Sequence, residues 1–564
     1  MRIKNKQLKL TVTYIVLICV FVGAGLYFHK RPLFNKQGLT INAKEEPVST
    51  YAPYAAAELA AADPDANAPV EPVAAVRRFF TSARASVFTF SGLKSEKELQ
   101  SVLDALKKTG SRATFFVTAE EMAQLPDQIE AIRLAGHSLG ISVRPAEKTS
   151  AEQLLGVLQT QAQALREKYG ADYEIFIRPA FGTGSAELLQ AAASGGFRVV
   201  SETKEAVPES ASRMTDAADV MAEIFGPNER ALQRGQIVHF QMGLFQYSDT
   251  VLGELVERVI ADKCVYPILP VDALARDTEH LYAYPVAKEQ IPDAVRDKIY
   301  PGHLAGKTPE EISQIIHDGY IGSDWVNQPL FFPGFSDEEA WKLDTTGLVE
   351  NDENYVFLTF DDWGSDRIVD ELLTVLEKHN AIGTFFVRSN FVPSNPNLLR
   401  AIAAGGHTIG AHSHTHMPLS NEPEPHNYQE LDEAQRAALE KDIVLCYETL
   451  ESVVGDMTDK DGKPSLSLLF RQPTLAVGKN GLQTVFDCGY TYAVAGSYSP
   501  DDYVAENAEA LAEEMLANVK SGAILVLHFL DSARNTPEAV DLTLTALENS
   551  GADYKFVGLN KVLG

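Results

Sequence analysis

Two segments of the chain alternate between strand-like and helix-like hydrophobic patterns in the same way. Tyr355 to Phe360 is a β-rich apolar run, apolar residues then recur at helical spacing, and Ala381 to Val387 returns to strand character. The earlier segment repeats these patterns through Val87 to Phe90, Glu96 to Lys108 and Ala113 to Val117. Both segments predict an α/β fold with a largely parallel sheet or barrel, whose functional side chains lie at the carboxyl ends of the strands.

The two segments repeat each other at a constant spacing. Thr89 Phe90, Thr114 to Val117 and Gly136 His137 each recur 270 residues later, whereas Arg178 and Gly196 recur 293 residues later. The difference of 23 residues predicts an insertion in the second segment at about 421–436. Colinear matches at fixed spacing indicate a tandem duplication.

The duplication divides the 564 residues into five predicted parts. They are a membrane anchor or signal segment (1–33), an Ala- and Pro-rich linker (34–80), a first copy (81–278), a connector (279–350) and a second copy (351–564). The names first copy and second copy are kept below for those residues. The connector has little strand pattern apart from a short helix expected at about Pro309 to His317, and no chemistry is assigned to it.

The N-terminus predicts entry into a membrane. Basic residues between Arg2 and Lys9 precede an apolar stretch from Leu10 to Phe28. A stretch of about 20 residues matches the hydrocarbon thickness and favours an uncleaved anchor, because a signal peptide has an apolar core of about 7 to 15 residues. We therefore expect a membrane-anchored protein whose globular part lies outside the cytoplasm, or a secreted protein if the chain is cleaved after Ala24.

Charge and cysteine content exclude two classes of function. With 49 basic and 77 acidic residues, the formal net charge is −28, which argues against nucleic acid as a partner. The four cysteines, Cys19, Cys264, Cys446 and Cys488, contain no CxxC spacing. They predict neither a thiolate zinc site nor a redox pair.

Two polar motifs in the second copy are candidates for metal binding. Asp361 and Asp362 end a predicted strand. His412 and His416 stand four residues apart, which would place both imidazoles on one face of a helical turn. Taken alone, an Asp-Asp pair is more often a solvated turn, and one such histidine pair arises readily by chance among 13 histidines.

Two more side chains follow apolar runs in the second copy. Arg471 follows Leu468 to Phe470, and His528 ends the continuous apolar run from Ala523 to Leu527. An isolated arginine at a strand end is more often a surface salt-bridge partner, and a lone histidine there is more often a core residue. Both nevertheless lie where the predicted fold places functional side chains.

In this chain order, the motifs resemble the NodB-type polysaccharide deacetylases of carbohydrate esterase family 4. The family pattern is Thr-Phe-Asp-Asp, His-Ser/Thr-x-x-His, Arg-x-Pro, Asp-Trp and Leu-x-His, and Thr359 to Asp362, His412 to His416 and Arg471 to Pro473 match its first three parts. The resemblance covers about Tyr355 to Gly564 and, in degenerate form, about Ser86 to Leu274. It implies two tandem distorted (β/α) barrels after the membrane helix and linker.

The second copy departs from the family pattern at several positions. Trp363 and Gly364 replace Gly-Pro, Thr474 stands where an aromatic residue is common, Tyr503 replaces the tryptophan of Asp-Trp, and Val526 replaces the leucine of Leu-x-His. These changes concern the substrate groove and the acetyl pocket. The resemblance implies that Trp363, Thr474 and Val526 contact substrate, and the identity of the glycan stays open.

The resemblance also implies the ligands of a cofactor. Asp362, His412 and His416 would hold one divalent metal ion, with zinc expected. The ion would polarise the acetyl carbonyl and lower the pKa of water, which an unaided side chain cannot do for an amide.

The remaining roles follow from the same resemblance. Asp361 would accept the proton of the attacking water, and Arg471 would orient Asp361. The backbone N–H of Thr474 would help to bind the oxyanion. His528, oriented by Asp502, would protonate the departing amine.

The first copy retains none of the predicted metal ligands. The spacing of 270 residues places four other residues at the positions of the two aspartates and two histidines: Ser91, Gly92, Ser142 and Ala146. His528 corresponds to Gln241, or to His239 if a small insertion intervenes. We expect an inactive first copy that binds glycan or supports the structure.

The predicted function is metal-dependent deacetylation of an N-acetylated cell-envelope or extracellular polysaccharide, with release of acetate. Peptidoglycan, a poly-N-acetylglucosamine polymer and chitin oligomers are candidate substrates. One alternative is an O-acetyl polysaccharide esterase with the same metal centre. The other is a surface glycan-binding protein with two inactive copies.

Overall fold

The structure, a computed structural model, describes residues 73–144, 149–226, 231–323, 332–424 and 427–564. The predicted membrane segment, most of the linker and Ala146 lie outside these residues. Within the described ranges, no helix is both long and apolar enough to cross a bilayer. Residues 76–80, predicted as the end of the linker, lie along the first copy, where Val76 bridges Val200 and Arg78 bridges Gln236.

The first copy forms a curled parallel sheet. Its strands are β1 Ser86–Ser91, β2 Thr114–Val117, β3 Ser138–Val143, β4 Ile177–Pro179, β5 Lys204–Glu205, β6 Ile237–Gln241 and β7 Ile268–Leu269. In the described residues the strand order is β4-β3-β2-β1-β6-β5, and β7 also pairs with β1. Strands with both faces covered need continuous apolar runs, which is the pattern in β1 and β2.

The second copy repeats this arrangement with one strand from the connector. The strands are β8 Tyr320–Ile321, β9 Tyr355–Asp362, β10 Thr384–Val387, β11 Thr408–Ala411, β12 Asn421–Glu424, β13 Asn427–Gln429, β14 Leu466–Phe470, β15 Tyr492–Val494, β16 Ile524–His528 and β17 Lys555–Phe556. The described sheet runs β16-β9-β10-β11-β14-β15-β8, with β17 pairing β9. The predicted insertion begins with the separate antiparallel hairpin β12-β13.

Helices cover the outer faces of both sheets. In the first copy they are Glu96–Lys108, Ala119–Gln124, Pro126–Leu134, Ala151–Tyr169, Ala186–Ser194, Ala217–Phe225, Val251–Lys263 and Val271–Ala275. In the connector and second copy they are Pro309–Gly319, Asp337–Ala340, Asp366–Lys378, Pro396–Ala404, Glu433–Val454, Lys479–Asp487, Ala508–Asn518, Thr536–Ser550 and Asn560–Leu563. Short 3₁₀ helices lie at Glu209–Arg213, Lys288–Gln290, Ser389–Ser394, Pro473–Leu475 and Asp502–Val504. Capping boxes at Thr118, Ser150, Thr308 and Asp432 explain where four of the α-helices begin.

Each sheet separates a large core from a small one. In the second copy, Leu358 and Phe360 of β9 pack into the large core beneath the helices. Phe357 points to the opposite face, where it joins a small interior cluster with Phe386 and Val526. Because side chains alternate along a strand, Thr359 and Asp361 share the interior face with Phe357.

The strand register relates the two copies residue by residue. Asp361 pairs with His528 in the second copy, and Ser91 pairs with Gln241 in the first. Gln241 is therefore the counterpart of His528. His239 pairs with Thr89, as Val526 pairs with Thr359, so His239 occupies the position of Val526.

The connector contributes to the second copy. Its predicted helix is present as Pro309–Gly319 and leads directly into β8, which pairs with β15. Val286, Ile291 and Val295 pack into the large core of the second copy.

Candidate metal centre

The carboxyl ends of neighbouring strands bring the candidate residues together. Asp361 and Asp362 end β9, and His528 lies directly opposite Asp361 at the end of β16. On the other side of β9, the strand order is β10, β11 and β14. His412 directly follows β11, and Arg471 directly follows β14. The site therefore lies at the edge of the sheet where the fold class predicts it.

Asp362, His412 and His416 converge on one point. Among the described residues they are the one set whose potential ligand atoms suit a metal ion, and these atoms all lie within 4.8 Å of one another. The Oδ1 atom of Asp362 is 3.5 Å from Nε2 of His416 and 3.9 Å from Nε2 of His412. Two imidazoles and one carboxylate form a known type of catalytic zinc ligand set.

The backbone from His412 to His416 is not helical. Ser413 and His416 have positive φ angles of 57° and 64°, so the predicted helical turn is wrong. The two imidazoles meet nevertheless, with ring centroids 5.0 Å apart. Asp442 holds this loop by accepting hydrogen bonds from the backbone N–H of Thr415 at 3.0 Å and from its hydroxyl at 2.5 Å.

The surroundings of His412 and His416 favour the neutral imidazoles that can bind a cation. Burial and the neighbouring His416 lower the pKa of His412 to about 3, and burial also lowers the pKa of His416. Nδ1 of His412 lies 2.9 Å from the carbonyl oxygen of Arg471, so an N–H there leaves Nε2 free to face Asp362. Neutral imidazoles beside a carboxylate fit a divalent ion.

Asp361, the neighbour of Asp362 in the chain, forms a buried ion pair with Arg471. Arg471 is 0% exposed and donates from Nη1 to Asp361 Oδ1 at 2.8 Å. It also donates to the hydroxyl of Thr359 and to the carbonyl oxygens of Val494 and Ala495. Burial raises the pKa of Asp361, and the Arg471 charge opposes that shift. The carboxylate is thus fixed in position and made a stronger proton acceptor than an exposed aspartate.

His528 and Asp502 form the second charged pair of the site. Nδ1 of His528 lies 2.7 Å from Asp502 Oδ1, and Asp502 Oδ2 accepts from the backbone N–H of His528 and from Thr536. Burial lowers the pKa of His528, but the carboxylates of Asp502, Asp361 and Asp362, with Asp502 the strongest, together raise this pKa to about 9. His528 is therefore an imidazolium at neutral pH and can donate a proton.

The three predicted substrate contacts lie at different depths. Trp363 is half-buried beside Phe529, with ring centroids 6.2 Å apart. Thr474 has a positive φ of 62° in the turn that follows Arg471. Val526 is 1% exposed in the small interior cluster, so only a substrate group that entered the interior of the sheet could touch it.

Comparison with known proteins identifies the family. The model of the family described as polysaccharide deacetylase matches two regions, residues 81–200 and 349–493. The chain belongs to the polysaccharide deacetylase family. The two matched regions lie in the two copies that the sequence repeat predicts, apart from two residues of the connector.

Curated relatives match this chain over a stretch about as long as one copy. Peptidoglycan-N-acetylglucosamine deacetylase PgdA of Listeria monocytogenes serotype 1/2a is 28% identical over 209 residues, which cover 37% of this chain and 39% of that protein. Peptidoglycan-N-acetylmuramic acid deacetylase PdaA of Bacillus subtilis is 27% identical over 219 residues, or 38% and 74% of the two chains. The chain thus spans about two fifths of the length of the Listeria relative.

A solved structure matches a similar share of this chain. Bacillus subtilis PdaA, described as a family 4 carbohydrate esterase, is 25% identical, with a TM-score of 0.31. The match covers 38% of this chain and 82% of that chain.

The first copy carries different chemistry at the same strand ends. The hydroxyl of Ser91 lies 3.1 Å from His239 Nε2 and 3.1 Å from Gln241 Oε1, at the position that Asp361 occupies in the second copy. Arg178, the counterpart of Arg471, pairs with Glu202 at 2.9 Å instead of an aspartate. At the position of Asp361, the first copy therefore has the neutral network of Ser91, His239 and Gln241, and its arginine forms an ion pair with a glutamate from elsewhere in the copy.

Arg388 escaped the sequence analysis, and Tyr503 was noted there only as a departure from the Asp-Trp pattern. Arg388 follows β10 directly, its backbone N–H donates to the carbonyl oxygen of Asp362 at 3.2 Å, and the Asp362 charge acts on its guanidinium. Tyr503 packs edge-on against His528 with ring centroids 5.2 Å apart. The rule that placed Arg471 and His528, a polar residue directly after an apolar strand, could also have found Arg388.

Proposed function

We propose that the second copy catalyses metal-dependent removal of acetyl groups from an N-acetylated cell-envelope polysaccharide. The observation that carries this proposal is the convergence of Asp362, His412 and His416 on one point. Beside them lie a proton acceptor, the buried carboxylate of Asp361, and a proton donor, the imidazolium of His528. Relatives named as deacetylases of peptidoglycan and of chitooligosaccharides support an N-acetylated glycan as the substrate class.

The ligand set fits one divalent ion, for which zinc is the first candidate. When bound, such an ion supplies Lewis acidity that polarises the acetyl carbonyl and lowers the pKa of water. The chain's own part is to keep both imidazoles neutral and Asp362 oriented. Burial favours the neutral form of both imidazoles, and the hydrogen bond to the Arg471 carbonyl fixes the orientation of the His412 ring.

Asp361 is the proposed general base. Its carboxylate is held by Arg471 at 2.8 Å, so it takes the proton from the attacking water without reorienting. Arg471 stays charged and keeps the carboxylate in place. The backbone N–H of Thr474, which follows Arg471 by three residues, is the proposed donor to the oxyanion.

His528 is the proposed general acid. Asp502 holds Nδ1, which leaves Nε2 to give its proton to the departing amine. Departure of an amine needs this proton, whereas departure of an alcohol from an O-acetyl ester needs it less. The paired His528 and Asp502 therefore favour N-deacetylation over the O-acetyl esterase alternative.

Acetate release from a panel of acetylated glycans tests the reaction. The panel should contain peptidoglycan, N-acetylglucosamine oligomers and an O-acetylated xylan, each with and without a chelator. We expect acetate from an N-acetylated member, loss of the activity with chelator and recovery with added Zn²⁺. Binding of glycan without any acetate release would instead support a non-catalytic surface protein.

A further inference from the structure

The first copy binds the helix that begins directly after the metal-ligand segment of the second copy. Asp366, the first residue of helix Asp366–Lys378, is 1% exposed, and its Oδ1 accepts hydrogen bonds from two groups of the first copy. These donors are the backbone N–H of Arg234 at 3.0 Å and the hydroxyl of Tyr266 at 3.1 Å. The next residue, Arg367, donates to the carbonyl oxygen of Asp262 at 2.9 Å.

Charge and packing strengthen this contact. Arg234 is 3% exposed and pairs through Nη2 with Asp370 at 3.0 Å, one turn further along the same helix. Its guanidinium also lies 4.6 Å from the centre of the Tyr266 ring. Ion pairs of this kind are unusually costly to break because a buried charge is left alone.

A second buried residue links the copies. Asn397 is 0% exposed and lies in helix Pro396–Ala404 of the second copy. Its side chain accepts from the backbone N–H of Thr81 and donates to the carbonyl oxygens of Phe79 and Arg234, all within 3.0 Å. Because the amide is bonded through both its oxygen and its nitrogen, the contact defines one relative placement of the copies.

The contact is absent at the equivalent helix of the first copy. The spacing of 270 residues aligns Asp366 and Asp370 with Glu96 and Gln100, and both of these side chains are exposed. Two helices of common origin therefore differ in this respect: the one beside the metal ligands starts in a buried polar contact, and the other starts in solvent.

The segment between Asp362 and Asp366 needs support at both ends. Asp362 has a φ of 81°, a region that non-glycine residues occupy only when the surroundings hold them there. At one end, Arg388 N–H binds the Asp362 carbonyl oxygen. At the other end, the first copy binds Oδ1 of Asp366, and Asn395 of the second copy donates to its Oδ2. Gly364, midway, has no room for a side chain because a Cβ would lie 1.9 Å from the carbonyl oxygen of Phe529.

We propose that the first copy is a positioning domain for the metal site of the second copy, acting through the contacts of Arg234 and Tyr266 with Asp366. This role rests on the proposed function of the second copy. The first copy replaces solvent at the start of one helix with fixed donors, and so it holds Asp362 in the strained conformation that points its carboxylate at His412 and His416.

A matched pair of tyrosine variants tests this role in the full-length chain. Tyr266→Phe removes the hydroxyl that donates to Asp366. Tyr173→Phe is the control, because its hydroxyl accepts a hydrogen bond from the backbone N–H of Leu139 at 2.6 Å, a contact within the first copy. Zn²⁺ affinity is measured by chelator competition, and amide exchange of residues 363–366 is measured in metal-free protein.

We expect Tyr266→Phe to weaken Zn²⁺ binding by up to about tenfold, the lower end of the effect of removing a group bonded to a metal ligand, because Tyr266 acts on Asp362 through Asp366. Amide exchange at residues 363–366 should be faster than in the wild type. Adding Arg234→Ala to Tyr266→Phe removes the ion pair with Asp370, although it keeps the backbone N–H that binds Asp366, and should increase both effects. Tyr173→Phe should leave both measurements as in the wild type, even if it lowers the thermal unfolding midpoint.

Wild-type affinity and wild-type exchange in Tyr266→Phe would overturn the positioning role, as would equal changes in the two tyrosine variants. If the wild-type chain bound no Zn²⁺, the proposed function would fail. The exchange of residues 363–366 would still decide whether the first copy holds this segment.

Discussion

The two copies share a strand register and differ in what stands at the strand ends. Gly92 and Asp362 occupy equivalent positions and have nearly the same φ, 85° and 81°. In the first copy this backbone conformation is met by a glycine, which adopts it without strain. In the second copy an aspartate adopts it and gains a position next to two histidines. The comparison shows a shared backbone conformation that carries different side-chain chemistry in the two copies.

The equivalent arginines of the two copies also differ in what they bind. Arg471 uses three nitrogens in four hydrogen bonds and is wholly buried with Asp361. Arg178 pairs with the partly exposed Glu202, and its Nε has no partner among the described residues. A buried arginine that is itself held by three other hydrogen bonds keeps the Asp361 carboxylate in a fixed position, whereas the first copy keeps the arginine without that carboxylate.

The largest expected difference between the copies is in catalysis. Asp361→Asn should lower kcat about a thousandfold, the range for loss of a general base, because the amide cannot accept the proton. Metal content should stay as in the wild type. Ser91→Ala, the equivalent change in the first copy, should leave kcat unchanged, and the measurement is acetate release under saturating glycan.

An Asp361→Asn variant with wild-type kcat would contradict the assignment of the base. A Ser91→Ala variant with a large loss would show that the first copy takes part in the chemistry.

The second expected difference is in stability. Arg471→Ala leaves Asp361 buried and unpaired and should cost about 3–5 kcal/mol of unfolding free energy. Arg178→Ala should cost about 1–2 kcal/mol, because Glu202 is partly exposed and can be solvated. Chemical denaturation of the two variants measures both values, and equal losses would remove the distinction between the two ion pairs.

The third expected difference is in the pH dependence. Because the pKa of His528 is raised to about 9, the general acid is present at lower pH and is lost as pH rises through about 9. Asp502→Asn removes the charge that raises this pKa, so the alkaline limb of kcat should move to lower pH by about one unit or more. Gln241→Ala, at the counterpart of His528, should leave the profile unchanged. An alkaline limb that stays in place in Asp502→Asn would exclude His528 as the acid.

The smallest expected effect comes from adding a ligand to the first copy. A Cβ at Gly92 would lie 2.1 Å from Nε2 of Gln241 and 2.8 Å from the carbonyl oxygen of Met242. Gly92→Asp should therefore destabilise the first copy by about 1–3 kcal/mol without creating a metal site. The double variant Gly92→Asp/Gln241→Ala should recover part of the lost stability. Thermal unfolding and metal content of the two variants would measure this, and an added equivalent of metal would contradict the expected outcome.

Local pattern was enough to predict much of the site. Asp361, Asp362 and His528 stand at the ends of apolar runs, and parallel strands bring such ends together. The spacing of the repeat alone aligned Ser91 and Gly92 with the two aspartates. These inferences depend only on periodicity and on colinear matches.

Long-range contacts could not be predicted in this way. The loop from His412 to His416 takes its shape from Asp442, and the hydrogen bond between Arg234 and Asp366 joins residues 132 positions apart. No periodic pattern marks either one. Val526 lies two residues before His528 and shares its face of β16, as the alternation of the strand requires, and its contact with substrate stays a prediction.

Metal content per chain tests the difference between the copies most directly. Purified wild-type chain, saturated with Zn²⁺ and freed of excess, should hold one equivalent of metal, and His412→Ala should hold none. Ser142→Ala, at the equivalent position of the first copy, should still hold one equivalent. Two equivalents in the wild type, or one equivalent that survives in His412→Ala, would contradict a single centre formed by Asp362, His412 and His416.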